Sequence, residues 1–262
     1  MAHLTYSIDG PIATITLKNP PQNRLTIELT ANFEDAIAAI SESAARVVIV
    51  EAEGPDFSWG GDISFWPEAD TGQLRGFFER FLTAVNRFER LPIPTIASVR
   101  GLCFGGGFEL ALRCDIIIAE QSATFGHPEQ SIAVTTLLGG VYRVAERAGR
   151  AFAADMAFTS TKVPAEEMQR RGVVNHVVAD GALEDEVAAY AKKLSTGPTK
   201  SHAAHKVLLR IWALGGVQAA DEAIMDISMP LFETEDTKRA LRSAVDSMAK
   251  GEKRPTLVFE NR

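Results

Sequence analysis

Ile96-Ala97-Ser98-Val99-Arg100-Gly101-Leu102-Cys103-Phe104-Gly105-Gly106-Gly107-Phe108-Glu109-Leu110-Ala111-Leu112-Arg113-Cys114-Asp115 is the stretch that decides the fold. Its front, Pro94 to Val99, reads as a short buried strand. Three glycines follow, then a helix from about Gly106 to Cys114, and Asp115-Ile116-Ile117-Ile118-Ala119 is at once another buried strand. Strand, helix, strand in so short a span implies parallel pairing with the helix as crossover. A helix N-terminus leaves backbone N–H groups unpaired, and glycine lets a ligand approach them closely, so this turn is an anion site. For a carbonyl ligand whose oxygen becomes negative during reaction, the same amides serve as half of an oxyanion hole.

Working outward, Leu4 to Ile8 and Ile12 to Leu17 alternate apolar and polar residues about Asp9-Gly10, which predicts an antiparallel hairpin. Thr26 is placed to cap a helix whose Leu29, Phe33, Ile37 and Ile40 fall at helical spacing, and Arg46 to Val50 follows as a strand. Leu74, Phe77, Phe78, Phe81, Leu82, Val85 and Phe88 mark an amphipathic helix. Downstream come an extended piece from Ser122 to Gly126, a loop to about Val134, helices near 136 to 158, a short helix opened by Pro164, and a strand from Val173 to Val178. Beyond 181 the pattern is helical, with breaks at Gly197-Pro198 and Gly215-Gly216. Such a tail must lay its apolar faces on the core or on a neighbouring subunit.

The 262 residues suit one large α/β core with an appendage, and 46% apolar with 23% charged residues excludes disorder. With 27 Lys and Arg against 34 Asp and Glu, the net charge of −7 speaks against nucleic acid and anionic membranes as partners. The helix from about 70 to 90 offers Arg75, Arg80, Arg87 and Arg90 against Glu79 and Glu89, too few cations for an RNA face. Cys103 and Cys114 fit neither a redox pair nor a zinc half-site and read as small core residues of a reducing compartment. With no basic leader and no long apolar run, the expectation is a soluble, cytoplasmic chain.

Several motifs are excluded. No GxGxxG, P-loop, GxSxG or HExxH occurs. His202 and His205 share a helical face without a further ligand, which reads as a solvated pair rather than a metal site, and Ser247-x-x-Lys250 matches a serine-lysine signature by letters only. Glu109 lies three residues after Gly106, so its carboxylate stands near whatever the amide holds; a helix-dipole or capping role has about equal weight on spacing alone. Glu129, in Phe125-Gly126-His127-Pro128-Glu129, reads by itself as a solvated loop carboxylate.

Taken together, the run from Ala97 to Glu129, Phe57-Ser58-Trp59-Gly60-Gly61-Asp62-Ile63 and Asn19-Pro20-Pro21-Gln22-Asn23-Arg24-Leu25 resemble the enoyl-CoA hydratase/isomerase (crotonase) superfamily. The resemblance implies an α/β spiral of repeated ββα units over residues 1–195 and a helical oligomerisation region over 196–262, assembled as a homotrimer or dimer of trimers. It implies an acyl-CoA thioester substrate, no metal, and no cofactor beyond the coenzyme A carried by the substrate. By motif position the oxyanion-hole amides fall on Gly61 and Gly106, and the two hydratase carboxylates on Glu109, which activates water, and Glu129, which protonates the enolate. Paired carboxylates suit addition of water to a 2-enoyl-CoA. Isomerase, hydrolase or decarboxylase chemistry uses the same hole with other groups, and a non-catalytic acyl-CoA-binding scaffold is the alternative of another class.

For coenzyme A the resemblance points to Arg24, Leu25, Trp59, Gly60, Asp62, Ile63, Lys253 and Phe259, with Arg254 as an alternative to Lys253 and Phe259 reaching the coenzyme of a neighbouring subunit. Trp59 and Trp66 are bulky for that loop; stacking on adenine and plain packing are both open. Where hydratases carry Gly-x-x-Pro-Gly, this chain has Ala133-Val134-Thr135-Thr136-Leu137, so Thr136 and Leu137 are expected to narrow the acyl pocket or move the water. Asp115 is expected to be structural.

Overall fold

In the computed structural model, which describes residues 3–261, Pro94 to Asp115 folds much as its pattern predicts. Strand β4 (Thr95–Val99) leads through a further short strand, β5 (Leu102–Phe104), into helix α3 (Gly106–Ala111), and β6 (Ile116–Glu120) follows. The upstream elements are the hairpin β1 (Leu4–Asp9) and β2 (Ile12–Leu17), α1 (Ile27–Ser41), β3 (Val47–Ala52) and α2 (Thr71–Glu89). Thr26 caps α1 as expected, its hydroxyl accepting from Leu29 N at 3.2 Å. Downstream lie β7 (Thr124–Gly126), α4 (Gly140–Ala148), α5 (Arg150–Thr159), β8 (Val163–Pro164), α6 (Ala165–Arg170), β9 (His176–Val178), α7 (Leu183–Ser195), α8 (Thr199–Ser228) and α9 (Glu235–Lys250).

One sheet runs β1-β2-β3-β4-β6-β9, antiparallel only between β1 and β2; a second runs β5-β7-β8. The apolar run of β3 is explained by burial on both faces. Val48 and Val50 point into the main core with Leu29, Phe33, Phe81 and Phe88, while Val47 and Ile49 join Ile96 and Ile118 beneath Leu183, Val187 and Ala191 of α7. The tail therefore serves the core through α7. Helix α8 is different: Leu209, Trp212, Leu214, Val217 and Met225 stand exposed on it, and Gly216 interrupts it with φ 73°.

Several expectations need correction. The strand β5 was read as part of a glycine turn; three residues carry no readable period, and their pairing with β7 lies across some twenty intervening positions. The helix after Gly107 ends at Ala111 rather than near Cys114, because Arg113 N and Cys114 N bond to Leu110 O and Ala111 O in a tighter turn. The helix expected from 136 begins at Gly140, since the amides of Leu138 and Gly140 are taken by a carboxylate described below. The last strand shortens to 176–178, with Val173 and Val174 bonding back to Met168 O.

One buried cation ties these parts together. The fully buried Arg113 guanidinium donates to Asn86 and Glu89 of α2 and to Leu138 O, and Glu89 also receives Arg143 of α4. Removing one member of a buried network strands the others. Arg113→Leu is expected to cost about 3–5 kcal/mol in urea unfolding; a loss under about 1 kcal/mol would show that the network carries no structural weight.

Candidate active site

The site begins with two backbone segments that touch. Buried Asn23 donates from Nδ2 to Glu53 O and Asp56 O, both at 2.8 Å, and Asp56 accepts from Leu102 N at 2.8 Å and from the Trp59 indole at 2.7 Å. The Ser58 hydroxyl donates to Asn23 O and accepts from Gly60 N, while Ser58 N donates to Leu102 O and Ser58 O accepts from Phe104 N of β5. Leu25 N donates to Gly60 O, and Asp62 N to Leu25 O. The loop 58–62 is thus fixed against the start of α3.

That contact leaves no room for side chains. A Cβ on Gly60 would lie 3.3 Å from Gly106 N, one on Gly106 would lie 3.0 Å from Leu25 Cδ1 and 3.7 Å from Gly61 N, and one on Gly107 would fall 2.4 Å from Ser58 Cβ. Among the described residues neither Gly61 N nor Gly106 N donates a hydrogen bond to the protein. Both glycines also line one cavity.

Glu109, 2% exposed, sits in the first turn of α3. Its Oε1 accepts from Leu138 N and Gly140 N, both at 2.8 Å, so it caps the N-terminus of α4 rather than that of its own helix. Oε2 takes no hydrogen bond from the described residues. Burial raises the pKa of Glu109 against the pull of the two amides. Glu129 follows the short strand β7; a Cβ on Gly105, whose φ is 51°, would come within 3.0 Å of its Oε1. Burial, and then the Glu109 carboxylate, push its pKa up to about 7. Beside it, His127 is 1% exposed and burial presses its imidazole down to about 4, so the ring is neutral.

These groups share one cavity of about 410 Å³. Arg24, Leu25, Trp59, Gly60, Gly61, Ile63, Gly106, Glu109 and Glu129 all line it. Asp62 does not; it turns away to accept from Ser64 N. Lys253 is exposed in the C-terminal segment, and Phe259 bonds through its backbone to Thr196 and Arg46, so neither reaches the cavity of its own chain. Arg24 lends one guanidinium nitrogen to Gly61 O at 3.2 Å. Leu137 walls the cavity as expected. Thr136 instead accepts from Val141 N at the start of α4, and Thr135 takes the lining place. Trp66 packs edge-on against Phe78, with ring centroids 5.2 Å apart, and walls the cavity with Phe77 and Phe81. Lys162, which lines the cavity, and His127, beside Glu129, carry no local sequence signal that marks them as part of the site.

A larger cavity, about 710 Å³, runs along α9 among charged side chains and meets none of the expected site residues. His205 bonds to Ser201 O, and among the described residues no cluster of His, Cys, Asp or Glu is arranged for a metal ion. Asp115 is structural: it binds Thr95 and the Lys206 ammonium. Both cysteines are buried, and burial raises their thiol pKa values.

A fold of two parallel-rich sheets carrying this pair of amides and carboxylates has close relatives. The sequence profile described as enoyl-CoA hydratase/isomerase matches residues 7–251. The short-chain-enoyl-CoA hydratase of Clostridium acetobutylicum is 30% identical over 262 residues, covering 97% of this chain and 96% of that protein. The carnitinyl-CoA dehydratase of Salmonella enteritidis is 34% identical over 217 residues, 79% of each chain. Among solved structures, an enoyl-CoA hydratase of Geobacillus kaustophilus superposes with a TM-score of 0.91 at 26% identity, covering 100% of this chain and 98% of that one. An enoyl-CoA hydratase/carnithine racemase of Magnetospirillum magneticum gives 0.86 at 28% identity, covering 100% and 97%. The chain belongs to the enoyl-CoA hydratase/isomerase family, and its fold is that family's α/β architecture with a helical C-terminal region.

The state of Glu129 is open to measurement. Folded, it keeps its proton up to about pH 7, whereas an unfolded glutamate loses it near about 4.3. Stability from this group is therefore complete below the lower value and is lost as pH rises through the upper one. Glu129→Gln removes the dependence, so its stability gain over wild type is expected to be about 2–3 kcal/mol larger at pH 8 than at pH 4. Urea unfolding at the two pH values checks this, and an equal gain at both refutes it.

Proposed function

We propose that the chain hydrates the double bond of a 2-enoyl-CoA thioester. The observation that carries the reading is the convergence of two amides unpaired among the described residues, Gly61 N and Gly106 N, and two carboxylates, the buried Glu109 and the half-buried Glu129, on one largely apolar cavity. The thioester oxygen accepts from both amides, which stabilise the negative charge that grows there as the enolate forms. Glu109, pinned through Oε1, keeps Oε2 free to take a proton from water as its oxygen bonds to the β-carbon. Glu129, protonated near neutrality, delivers its proton to the α-carbon. The bonds balance: water supplies hydroxyl to one carbon, and the carboxyl pair passes one proton in and one out.

In this reading no cofactor is needed beyond the coenzyme A of the substrate. Arg24, Trp59 and Lys162 at the cavity supply the coenzyme contacts from the same chain, and Lys253 and Phe259 serve a neighbouring subunit's cavity. The assembly that brings them there is a homotrimer or dimer of trimers, supported by the exposed apolar residues of α8 and by Phe232, Val245 and Met248 beyond it. Residues 1–195 form the spiral core and 196–262 the oligomerising part. A cytoplasmic location is supported by two unpaired cysteines; among the described residues no helix is long and apolar enough to cross a membrane.

Loss of crotonyl-CoA absorbance on adding the protein is expected, and Glu109→Gln should lower kcat by about 10²–10⁴ with KM nearly unchanged. A wild type that binds acyl-CoA but hydrates neither short nor long enoyl chains would overturn hydration and favour double-bond isomerisation. Light scattering on the eluted protein should give the mass of three or six chains of 28.4 kDa; a monomer would overturn the assembly.

A further inference from the structure

The least satisfied polar space in the molecule lies behind Glu129. His127 Nδ1, His127 Nε2 and Glu129 Oε2 are all buried with no hydrogen-bond partner among the described residues. Nδ1 and Oε2 face one another at 3.8 Å. The ring cannot turn elsewhere. The Phe108 ring of α3 lies with its centroid 4.9 Å away, and Gly140 of α4 is so near that a Cβ there would stand 2.4 Å from Cε1 and 3.0 Å from Nε2. The titratable groups that face the pair are Glu109 on α3 and Glu129 itself, and among the described residues no Lys or Arg pairs with either His127 or Glu129. Buried polar atoms find partners in native proteins, and of these three Nδ1 and Oε2 are the two that face one another.

We propose that His127 is a positioning residue for the acid Glu129: its Nδ1–H donates to Oε2, so the carboxyl proton is held on Oε1, the oxygen beside Gly105. A neutral imidazole carries one proton on one nitrogen, and with that proton on Nδ1 the ring is a donor toward Glu129. Oε2 then has its partner and the acidic proton has one place to sit. When Oε1 gives its proton to the α-carbon, the bond from Nδ1–H becomes charge-assisted and supports the new carboxylate. The imidazole stays neutral throughout and gains or loses no proton. The inference rests on the hydration reading for the fate of the proton, but not for the contact.

The test uses His127→Leu, which removes the donor at similar volume, and His127→Gln, which restores an N–H. Because the acid form of Glu129 is the active one, kcat/KM for enoyl-CoA hydration falls as pH rises through its ionisation. Without the donor the carboxylate is less stable, so His127→Leu moves this limb up by about one pH unit and lowers kcat about tenfold, with KM within about twofold. His127→Gln returns the limb to within a few tenths of the wild-type position. Carboxyl carbon NMR, with Glu129 assigned from Glu129→Gln, follows the same ionisation without any substrate. An upward move in His127→Leu supports the contact even where no enoyl-CoA is hydrated, a result that would refute the hydration reading alone. An unmoved carboxyl titration in a folded His127→Leu chain, or equal losses of rate in both variants with neither limb displaced, overturns the proposal.

Discussion

Everything in the site depends on how closely two pieces of backbone approach, the loop at 58–61 and the turn from Phe104 into α3. Ordinary side chains keep main chains apart; here Gly60, Gly106 and Gly107 each meet backbone or Ser58 atoms where a Cβ would stand. The approach is held by hydrogen bonds that Asn23 and Ser58 donate and that Asp56 accepts. Among the described residues the amides of Gly61 and Gly106 are left without protein partners, and both glycines line one cavity.

Around this centre the charges are sorted. Glu109 is buried and held by two backbone amides with Glu129 half-buried near it, while Arg113, Arg143 and Arg147 are committed to Glu89 and to backbone oxygens. The Glu89 network braces Leu138 through its carbonyl and so holds the segment whose amides bond Glu109.

Much of this was legible in the sequence, and the limits follow from physics. Strand β3 shows as four apolar β-branched residues because both its faces are covered, and α1 shows through Thr26 and a clean helical period. Gly106 and Glu109 could be placed because turn chemistry and spacing are local properties, whereas Gly61 came only from the family resemblance. Glu129 read alone as a loop acid; its burial comes from Glu109 and the walls of α3 and α4, which spacing along the chain does not encode. Strand β5 escaped for the same reason, its partner being β7. Nothing in Phe125-Gly126-His127 signals a sealed imidazole, since its setting is made by Phe108 and Gly140. Asp62, Lys253 and Phe259 were placed by motif position alone, and none of the three lines the cavity of its own chain.

The double cover of the central sheet also bears on how the chain is made. Val47, Ile49, Ile96 and Ile118 are synthesised well before Leu183, Val187 and Ala191, the residues of α7 that shield them. Through most of translation one face of the growing sheet is apolar and open to water. A nascent chain in that condition is prone to association with its neighbours on the polysome. That face is closed only once α7 has emerged and docked, so the last third of the chain completes a core laid down before it.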